Sequence, residues 1–416
     1  MNFAIPHDVA DLPNLGRALD PTRMLAEFRR LLPPRDASQW VRCAVERVIW
    51  KPGKSARILY RLWKEDEPAE TGRPHCFYAE VLPPQRSLRR YLDLQERGGA
   101  NRPSGFVAEL DMVYWRFPAD PRLTQLPGVW CEGTWSVVSY TPTMSCVLAG
   151  NYGGEPTIVK LYHDDRVERV AHVVEALRAA GVAAPRVLHA DAGRRSLVLE
   201  HVPGAGFWSH PDRHLQRDVM TAMARELAVL HDATLPESTR TSLEVVEFGA
   251  REWERFVEAR EELAVAFPDL RSRLGRLETM LAGAYVEPEP ALLHGDFHPA
   301  QFLTADGSPR LIDYDNVCFG DPMYDLARFA SHLFYKGMVH ERPLAEIEAA
   351  VAAFRSGYIA AGTRFRAANW FWHLAVSLVA KRAHRVLTRL ESGAEARVAR
   401  LVQTAEQNAA SIVRGG

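Results

Sequence analysis

Leu293–Gln301 of this chain reads LHGDFHPAQ and Leu311–Asp315 reads LIDYD, and these two neighbouring stretches carry its most informative residues. Apolar residues open both stretches, so we expect two short β-strands that present polar groups at their ends. Asp296 can accept a proton from an attacking hydroxyl, while Gln301 and Asp313 can hold magnesium against nucleotide phosphates. Phosphoryl transfer requires an acid, an amide and a second acid in this order, and the pattern therefore predicts that chemistry.

A tripeptide such as His294–Asp296 could by itself be an ordinary turn, in which glycine provides the bend and aspartate caps it. The residues that follow argue against this interpretation. Gly320–Leu326 reads GDPMYDL and adds Asp321 and Asp325. Turn chemistry does not require so many acids around two apolar strands, so we interpret the cluster as catalytic.

The segment Leu292–Phe329 resembles the catalytic core of the aminoglycoside phosphotransferase and choline kinase superfamily of small-molecule kinases. The signature of that superfamily is His-x-Asp-x-x-x-x-Asn, then Ile-Asp, then Gly-Asp-Pro-x-x-Asp-Leu. This chain departs from it at Gln301, which stands where most members have asparagine. Glutamine keeps the carbonyl oxygen and adds a methylene group. The maltokinase-like branch also carries glutamine there, so the change favours a sugar-kinase-like member over an inactive site.

The resemblance implies a two-lobed, protein-kinase-like α+β fold with a β-rich N-lobe and a helical C-lobe. It also implies transfer of the γ-phosphoryl group of ATP (or GTP), with Mg²⁺, to a hydroxyl of a small molecule, with a sugar or amino sugar preferred. Asp296 would be the catalytic residue, and Gln301 and Asp313 the metal ligands. His294 and Asp325 are expected to fix the loop rather than to react.

Lys160 is a candidate nucleotide-binding residue upstream of this core. It lies in the apolar run Pro156–Tyr162, which follows a predicted hairpin turn at Asn151–Gly154. A lysine in an apolar strand is costly to bury without an anionic partner, although the solvated face of an edge strand is the alternative. In a kinase lobe the partners are the nucleotide phosphates and a helix carboxylate. Glu168 and Glu175 are both candidates for that carboxylate, and Glu168 is preferred.

The run Ser196–Gly204 is interpreted as the last strand of the N-lobe and a hinge against which adenine would lie. Backbone groups of Glu200, His201 and Val202 are the predicted contacts, and an ordinary strand that leads into a loop is the alternative. The sequence contains neither a kinase-type glycine-rich loop nor a P-loop motif. Ser145, in the turn Thr141–Ser145, is instead the candidate for contact with phosphate oxygens.

The first 130 residues contain a candidate repeat of the nucleotide lobe. Trp50–Tyr60 resembles Tyr140–Leu148, with an aromatic residue, a proline two positions later and a serine three after that. In the strands that follow, Phe77–Val81 aligns with Thr157–Leu161, so Glu80 takes the place of Lys160. An acid at that place would repel a nucleotide phosphate. The first copy is therefore not expected to bind a nucleotide. Chance similarity between two hairpins is the alternative.

We predict three parts: an N-terminal β-hairpin-containing module at 1–130, a nucleotide-binding N-lobe at 131–203, and a helical C-lobe with the catalytic loop and acceptor site at 204–416. A helix is expected over Arg366–Leu390, among others. Aromatic and basic side chains are candidates for the acceptor pocket: Phe207, Trp208, Trp370, Trp372, His373, Arg382 and Arg385. Their character favours neutral sugars or anionic acceptors over polycations, and a helical core with a basic end is the alternative.

Composition limits the function classes. The 416 residues are 47% hydrophobic, with a net charge of −1 and a pI near 7.0, so nothing favours nucleic acid or an anionic membrane as a partner. Five widely spread cysteines without CxxC spacing indicate neither a zinc site nor a disulfide framework, which suits a reducing compartment. No signal peptide or membrane span is predicted, and a cytoplasmic location is expected.

Two other functions compete with a small-molecule kinase. A nucleotide-binding pseudokinase, acting as a regulatory or assembly module, would be compatible with Gln301 and the missing glycine-rich loop, but both Asp296 and Asp313 are intact. A metal-dependent hydrolase built on the histidines and aspartates would leave the strand-embedded Lys160 unexplained.

Overall fold

The computed structural model describes residues 3, 11–31, 39–65, 75–97, 99, 102–305, 308–362 and 365–414. The acidic run Glu65–Pro74, which contains proline and glycine, predicts a loop, and most of it lies outside these ranges. The chain forms two units. The first comprises Met1–Glu168, Val187–His201 and Thr388–Ser392, and the second comprises Arg169–Arg186, Val202–Leu387 and Gly393–Gly416. The three-part division expected from the sequence stays a prediction.

The first unit opens with two helices, α1 (Leu15–Ala18) and α2 (Pro21–Leu31), and a five-stranded antiparallel sheet. The strands of that sheet are β1 (Trp40–Lys51), β2 (Ser55–Lys64), β3 (His75–Val81), β4 (Gly105–Val107) and β5 (Met112–Arg116). Their order in the sheet is β1-β2-β3-β5-β4, and helix α3 (Pro84–Arg97) follows the third strand along the chain.

A second antiparallel sheet of the first unit repeats this arrangement after helix α4 (Leu126–Glu132). Its strands are β6 (Ser136–Thr141), β7 (Ser145–Tyr152), β8 (Glu155–Tyr162), β9 (Val187–Asp191) and β10 (Ser196–Glu200). The order is β6-β7-β8-β10-β9, and helix α5 (Val167–Ala179) again follows the third strand. The strand order of the two sheets is therefore the same.

The register of the two sheets also agrees. Arg57, two residues after Ser55, pairs with Glu80, while Val147, two residues after Ser145, pairs with Lys160. Glu80 and Lys160 thus occupy equivalent places on the third strand of each sheet, as the aligned sequences predict. Descent of the two sheets from one duplicated segment stays a prediction.

The predicted hairpin between β7 and β8 is confirmed. Tyr152 pairs with Glu155, so Gly153 and Gly154 alone form the connection. Both glycines have positive φ, at 61° and 89°, and two-residue hairpin loops of the type I′ class need this backbone conformation at both positions. Glycine adopts it without the steric penalty that a Cβ brings, and the sequence therefore fixes the register of β8 locally.

Short strands and many helices make up the second unit. The strands are β11 (Ala205–Gly206), β12 (Ala291–Leu293), β13 (Phe302–Ala305), β14 (Ser308–Leu311) and β15 (Cys318–Gly320), arranged as β11-β13-β14 and β12-β15. The helices before β12 are α6 (Pro211–His214), α7 (Arg217–His231), α8 (Glu237–Arg240), α9 (Phe248–Ala266) and α10 (Arg271–Leu281).

After β15 the described residues of the second unit form helices joined by turns. The helices are α11 (Pro322–Val339), α12 (Leu344–Ala360), α13 (Ala367–Ser377), a π-helix (Leu378–Ala383), α14 (His384–Thr388) and α15 (Ala394–Arg414). The helix expected over Arg366–Leu390 is therefore interrupted by a π-helical turn. Such a turn differs from an α-helix by one residue in its hydrogen-bond spacing, and a pattern of apolar residues does not reveal a change confined to a single turn.

The predicted α+β class, with a β-rich N-terminal part and a helical C-terminal part, is confirmed. In the part of the chain that the structure describes, no helix is long and apolar enough to cross a membrane.

Candidate active site

The loop between β12 and β13 is held in place by Asp325, a fully buried acid in the first turn of α11. Its carboxylate accepts hydrogen bonds from the backbone N–H of His294 at 2.7 Å and of Gly295 at 3.1 Å. His231 of α7 approaches the same carboxylate at 3.4 Å. The expected structural role of Asp325 agrees with this geometry, because a buried carboxylate that receives backbone donors fixes the path of the loop.

His294 and Gly295 shape the start of the same loop. The buried His294 ring lies 3.0 Å from the carbonyl oxygen of Ile312 through its Nε2. Gly295 has φ +77°, and a Cβ there would collide with the carbonyl oxygen of Asn316. Only glycine fits this position without displacing the backbone.

Asp296 follows directly, and its side chain is half-buried. Its Oδ1 forms an ion pair with Arg328 of α11, and its Oδ2 lies 3.9 Å from Nε2 of His298. Burial lowers the pKa of His298 to about 4, so that ring is neutral at pH 7. Arg328 is therefore the cation that faces Asp296 here. Sequence reasoning missed it, although its place three residues after Asp325 on one helix is a usable signal.

Gln301 and Asp313 contact each other. The Gln301 amide donates a hydrogen bond of 2.9 Å to Oδ2 of Asp313, and it lies 3.5 Å from Nε2 of His298. Gln301 closes a short 3₁₀ turn after Pro299, and Asp313 follows β14 with a left-handed φ of 72°. The structure thus links Asp296, His298, Gln301 and Asp313 by successive contacts.

The Gln301–Asp313 pair suits a magnesium ion by its chemistry. An amide oxygen and a carboxylate are hard oxygen donors, and magnesium in kinases is held by one or two such side chains, with phosphates and water completing its shell. Among the described residues, no group of three or more His, Cys, Asp or Glu side chains could hold a metal by itself. Two oxygen donors from the protein leave the remaining ligands of such an ion to phosphate and water.

In the first unit, Lys160 lies on the central strand β8 and is only 7% exposed. It pairs with Val147 of β7 and Leu197 of β10, so the alternative of a solvated edge strand is wrong. A buried lysine in a central strand requires compensating negative charge, as the kinase interpretation supposes. Glu168 lies in the first turn of α5 and is exposed, and its pairing with Lys160 stays a prediction.

Ser145 begins β7, directly after a turn that a buried acid fixes. Asp120 accepts hydrogen bonds from Tyr140 Oη at 2.8 Å and from the backbone N–H of Thr143 at 2.9 Å. Thr143 has φ +68°, and this strained conformation persists because the contacts around it determine it. The turn is therefore preformed, which a phosphate-contacting segment needs, while contact of Ser145 with phosphate stays a prediction.

The predicted hinge residues follow one another at the end of β10. Glu200 is its last residue, and the His201 N–H donates to the Pro156 carbonyl at 3.2 Å. Val202 begins the long stretch Val202–Leu387 of the second unit. The role of these three residues in adenine binding stays a prediction.

Asp296 also lines a pocket of about 670 Å³ in the second unit. Aromatic side chains of Phe248 and Tyr324 border it, with ring centroids 3.8 Å apart. Five cationic side chains line it as well: Arg169, Arg251, Arg255, Arg328 and Lys381. Sequence reasoning did not assign them to a site. Arg251 and Arg255 share one face of α9 at helical spacing, which is a signal for two of them.

The seven acceptor-pocket candidates chosen from the sequence do not line this pocket. Trp370, Trp372 and His373 are at most 2% exposed in the helical core. The Trp372 indole donates to the Leu281 carbonyl at 3.0 Å, and His373 lies 3.1 Å from Asp321. The alternative of a helical core is correct for these three, because packing buries their rings away from the pocket.

Trp208, Arg382 and Arg385 also have structural partners. The Trp208 ring stacks on His340 with centroids 4.7 Å apart. Arg382, only 4% exposed, donates to Ser331 at 3.1 Å, and Arg385 lies over the ring of Tyr335. Phe207 is buried beside Trp208.

Comparison with known families gives a match over residues 147–367, more than half of the 416 residues, to the phosphotransferase enzyme family. A comparison with curated proteins finds no match.

Several solved structures resemble the chain. A choline/ethanolamine kinase family protein from Mesorhizobium loti is 18% identical with a TM-score of 0.46, and the alignment covers 70% of this chain and 95% of that one. A spectinomycin phosphotransferase in complex with ADP and spectinomycin is 14% identical with a TM-score of 0.48, over 66% and 93%. Amicoumacin kinase in complex with AMP-PNP and Ca²⁺ is 13% identical with a TM-score of 0.47, over 65% and 88%.

The family match spans the N-terminal strand pair that carries Lys160, the loop that carries Asp296 and Gln301, and the strand end that carries Asp313. The α+β class of the predicted fold is confirmed by the sheets and helices described above. This chain belongs to the phosphotransferase enzyme family and is, as its sequence predicts, a small-molecule kinase that uses a hydroxyl acceptor.

Proposed function

We propose that this enzyme transfers the γ-phosphoryl group of ATP to a hydroxyl of a sugar-like small molecule bound beside Asp296. The observation that carries the proposal is the series of contacts from Asp296 through His298 to Gln301 and Asp313, because it joins a proton acceptor to two oxygen ligands for a metal. GTP is the alternative donor.

In the proposed reaction the acceptor oxygen attacks the γ-phosphorus while the bond from phosphorus to the β,γ-bridging oxygen breaks. The acceptor hydroxyl proton passes to Asp296, and the nucleoside diphosphate leaves. A magnesium ion held by Gln301 and Asp313 would neutralise charge on the phosphates. Positioning of the reactants and neutralisation of charge supply most of the rate enhancement, because the protein forms no covalent intermediate in this reaction.

Nucleotide binding is proposed to rest on Lys160, with Glu168 as its helix partner, and on the backbone of Glu200, His201 and Val202. The buried position of Lys160 in a central strand supports its part in this proposal. Ser145, after the preformed turn, is proposed to contact phosphate oxygens.

Among sugar acceptors, the cations of the Asp296 pocket argue against amino sugars. A protonated amine in that pocket would meet Arg251, Arg255 and Lys381 at short range. A neutral or acidic sugar derivative therefore fits better than an amino sugar.

The test is ATP consumption with magnesium against sugars, sugar acids, sugar phosphates, amino sugars, choline and homoserine, with Asp296→Asn beside the wild type. Asparagine keeps the shape of the side chain and removes its ability to take a proton. We expect acceptor-dependent turnover that falls about 10²–10⁴-fold in Asp296→Asn. The matched control is Asp212→Asn, which changes an acid that is 82% exposed and should leave turnover unchanged.

Nucleotide binding measured by calorimetry separates the competing functions. Binding of ATP with magnesium but no turnover with any acceptor would favour the pseudokinase. Wild-type turnover in Asp296→Asn would show that the assigned mechanism is wrong.

A further inference from the structure

The pocket beside Asp296 carries an excess of positive charge. Its five lining cations face two lining acids, Glu244 and Asp296. A third acid, Glu252, is fully buried and contacts three of the same cations. With Lys381 protonated, five cations against three acids leave a net charge of +2 around the cavity.

Glu252 organises the cations. Its Oε1 lies 2.7 Å from Arg255 and 3.7 Å from Arg251, and its Oε2 lies 2.8 Å from Lys381. Burial acts to raise the pKa of Glu252, but Lys381, Arg255 and Arg251 outweigh it and hold that pKa below its usual value. One ionised carboxylate thus orients three cations that it cannot neutralise.

The side chains of the two arginines remain partly accessible. The Arg251 and Arg255 side chains are 38% and 49% exposed, although their inner contacts fix them. The Lys381 ammonium lies deeper and donates to Tyr324 Oη at 3.3 Å. Tyr324 also accepts a hydrogen bond of 3.4 Å from Arg328, which pairs with Asp296. The basic cluster therefore extends from the pocket mouth to the proposed proton acceptor.

We propose, on the basis of the proposed kinase function, that the natural acceptor carries an anionic group beside its reacting hydroxyl, held by Arg251, Arg255 and Lys381. Planar guanidinium groups bind carboxylates and phosphates through paired hydrogen bonds. The shared chemistry is that of a small hydroxy compound with a phosphate or a carboxylate. Cationic acceptors such as polyamines or quaternary ammonium compounds would be repelled.

The experiment uses acceptors that share a scaffold and differ in charge: glucose, glucose 6-phosphate, gluconate and glucosamine. Turnover and direct binding by calorimetry are both measured on the full chain. Comparison of glucose 6-phosphate with gluconate shows whether the pocket prefers a phosphate or a carboxylate. We expect the anionic compounds to bind about tenfold or more tightly than glucose, and glucosamine to bind most weakly.

Arg255→Gln tests the cluster, and Arg260→Gln on the same helix is its matched control. Arg260 pairs with Glu278 and does not line the pocket. We expect Arg255→Gln to abolish most of the advantage of anionic over neutral compounds, while Arg260→Gln keeps it.

The outcomes separate this inference from the proposed function. Phosphorylation of neutral or cationic acceptors in preference to anionic ones would overturn the inference and leave the kinase intact. Preferential binding of anions without turnover of any acceptor would support the cluster and count against the kinase. Equal binding of all four compounds would also refute the inference.

Discussion

Arg328 of α11 forms an ion pair with Oδ1 of Asp296, the carboxylate that we propose as proton acceptor. The same guanidinium lies 3.4 Å from the Tyr324 hydroxyl. Because Arg328 occupies Oδ1 of Asp296, we propose that Oδ2 takes the proton of the acceptor hydroxyl. We therefore propose that Arg328 orients the Asp296 carboxylate. Four other cations line the same pocket.

Replacing Arg328 should therefore affect the reaction step more than nucleotide binding. We expect Arg328→Met to lower kcat by about tenfold or more, since Asp296 loses its fixed orientation. Arg328→Lys should recover part of kcat, because lysine restores the positive charge. The recovery should be incomplete because an ammonium group cannot form the paired hydrogen bonds of a planar guanidinium group. Steady-state kinetics with a calorimetric Kd for ATP would check this. An unchanged kcat in Arg328→Met would contradict the assigned role.

Lys160 and Glu80 offer a paired test of the two equivalent sheets. Glu80 is buried, accepts a hydrogen bond of 2.8 Å from Tyr78 and lies 3.5 Å from Arg90 of α3. In kinases the strand carries a lysine and the helix a glutamate. Here the strand residue Glu80 is negative and the helix residue Arg90 is positive, so the two charges are exchanged. We expect Lys160→Ala to weaken ATP binding about tenfold or more, because a charged contact to phosphate is lost.

The companion variant Glu80→Ala should leave the Kd for ATP unchanged. It should lower the free energy of unfolding by about 1–3 kcal/mol, since Tyr78 and Arg90 lose a partly buried partner. Calorimetry and urea unfolding measure the two quantities. Loss of ATP binding in Glu80→Ala would assign nucleotide binding to the first sheet and contradict our interpretation.

Asp325 should control both stability and activity through the catalytic loop. Asp325→Asn removes a buried charge that accepts from the N–H groups of His294 and Gly295. We expect a loss of about 2–3 kcal/mol in the free energy of unfolding, as is typical for hydrogen bonds to a buried charge. Turnover should fall as well because Asp296 follows this loop. Urea unfolding of this variant and of the Asp212→Asn control provides the measurement, and a much smaller loss is expected for the control because its ion pair with Arg342 is exposed.

Binding of an anionic acceptor should weaken as the pH rises above about 7. Burial lowers the pKa of Lys381 to about 7, while Glu252 acts to raise it. Arg255 on α9, Tyr324 and Arg328 on α11, and Arg382 of the same π-helix also face this region. The protonated lysine attracts the anion, so affinity is full below about pH 7 and falls above it as the charge is lost.

The check is KM for the best anionic acceptor between pH 6 and 9, with Lys381→Arg as the comparison. Arginine keeps its charge over this range, so its KM should lose this pH dependence. A KM that varies with pH equally in both proteins would show that another group is responsible.

The local order of residues determined much of the candidate site. Asp296, Gln301 and Asp313 were placed correctly on a loop and a strand end, because short apolar runs and turn residues specify such elements over a few positions. Gly153 and Gly154 likewise specified the hairpin that sets the register of β8. Even the equivalence of Glu80 and Lys160 could be predicted, because the strand sequence Phe77–Val81 aligns with Thr157–Leu161.

The pocket that we propose for the acceptor depends on tertiary structure alone. Arg251, Arg328 and Lys381 lie on α9, α11 and the π-helix, and no local spacing connects three segments so far apart in the chain. Trp370 and Trp372 suggested a sugar-binding surface by their type, but packing buries them. A side chain's chemistry states what it can bind, whereas only the packing of helices against one another determines whether it faces a cavity or the core.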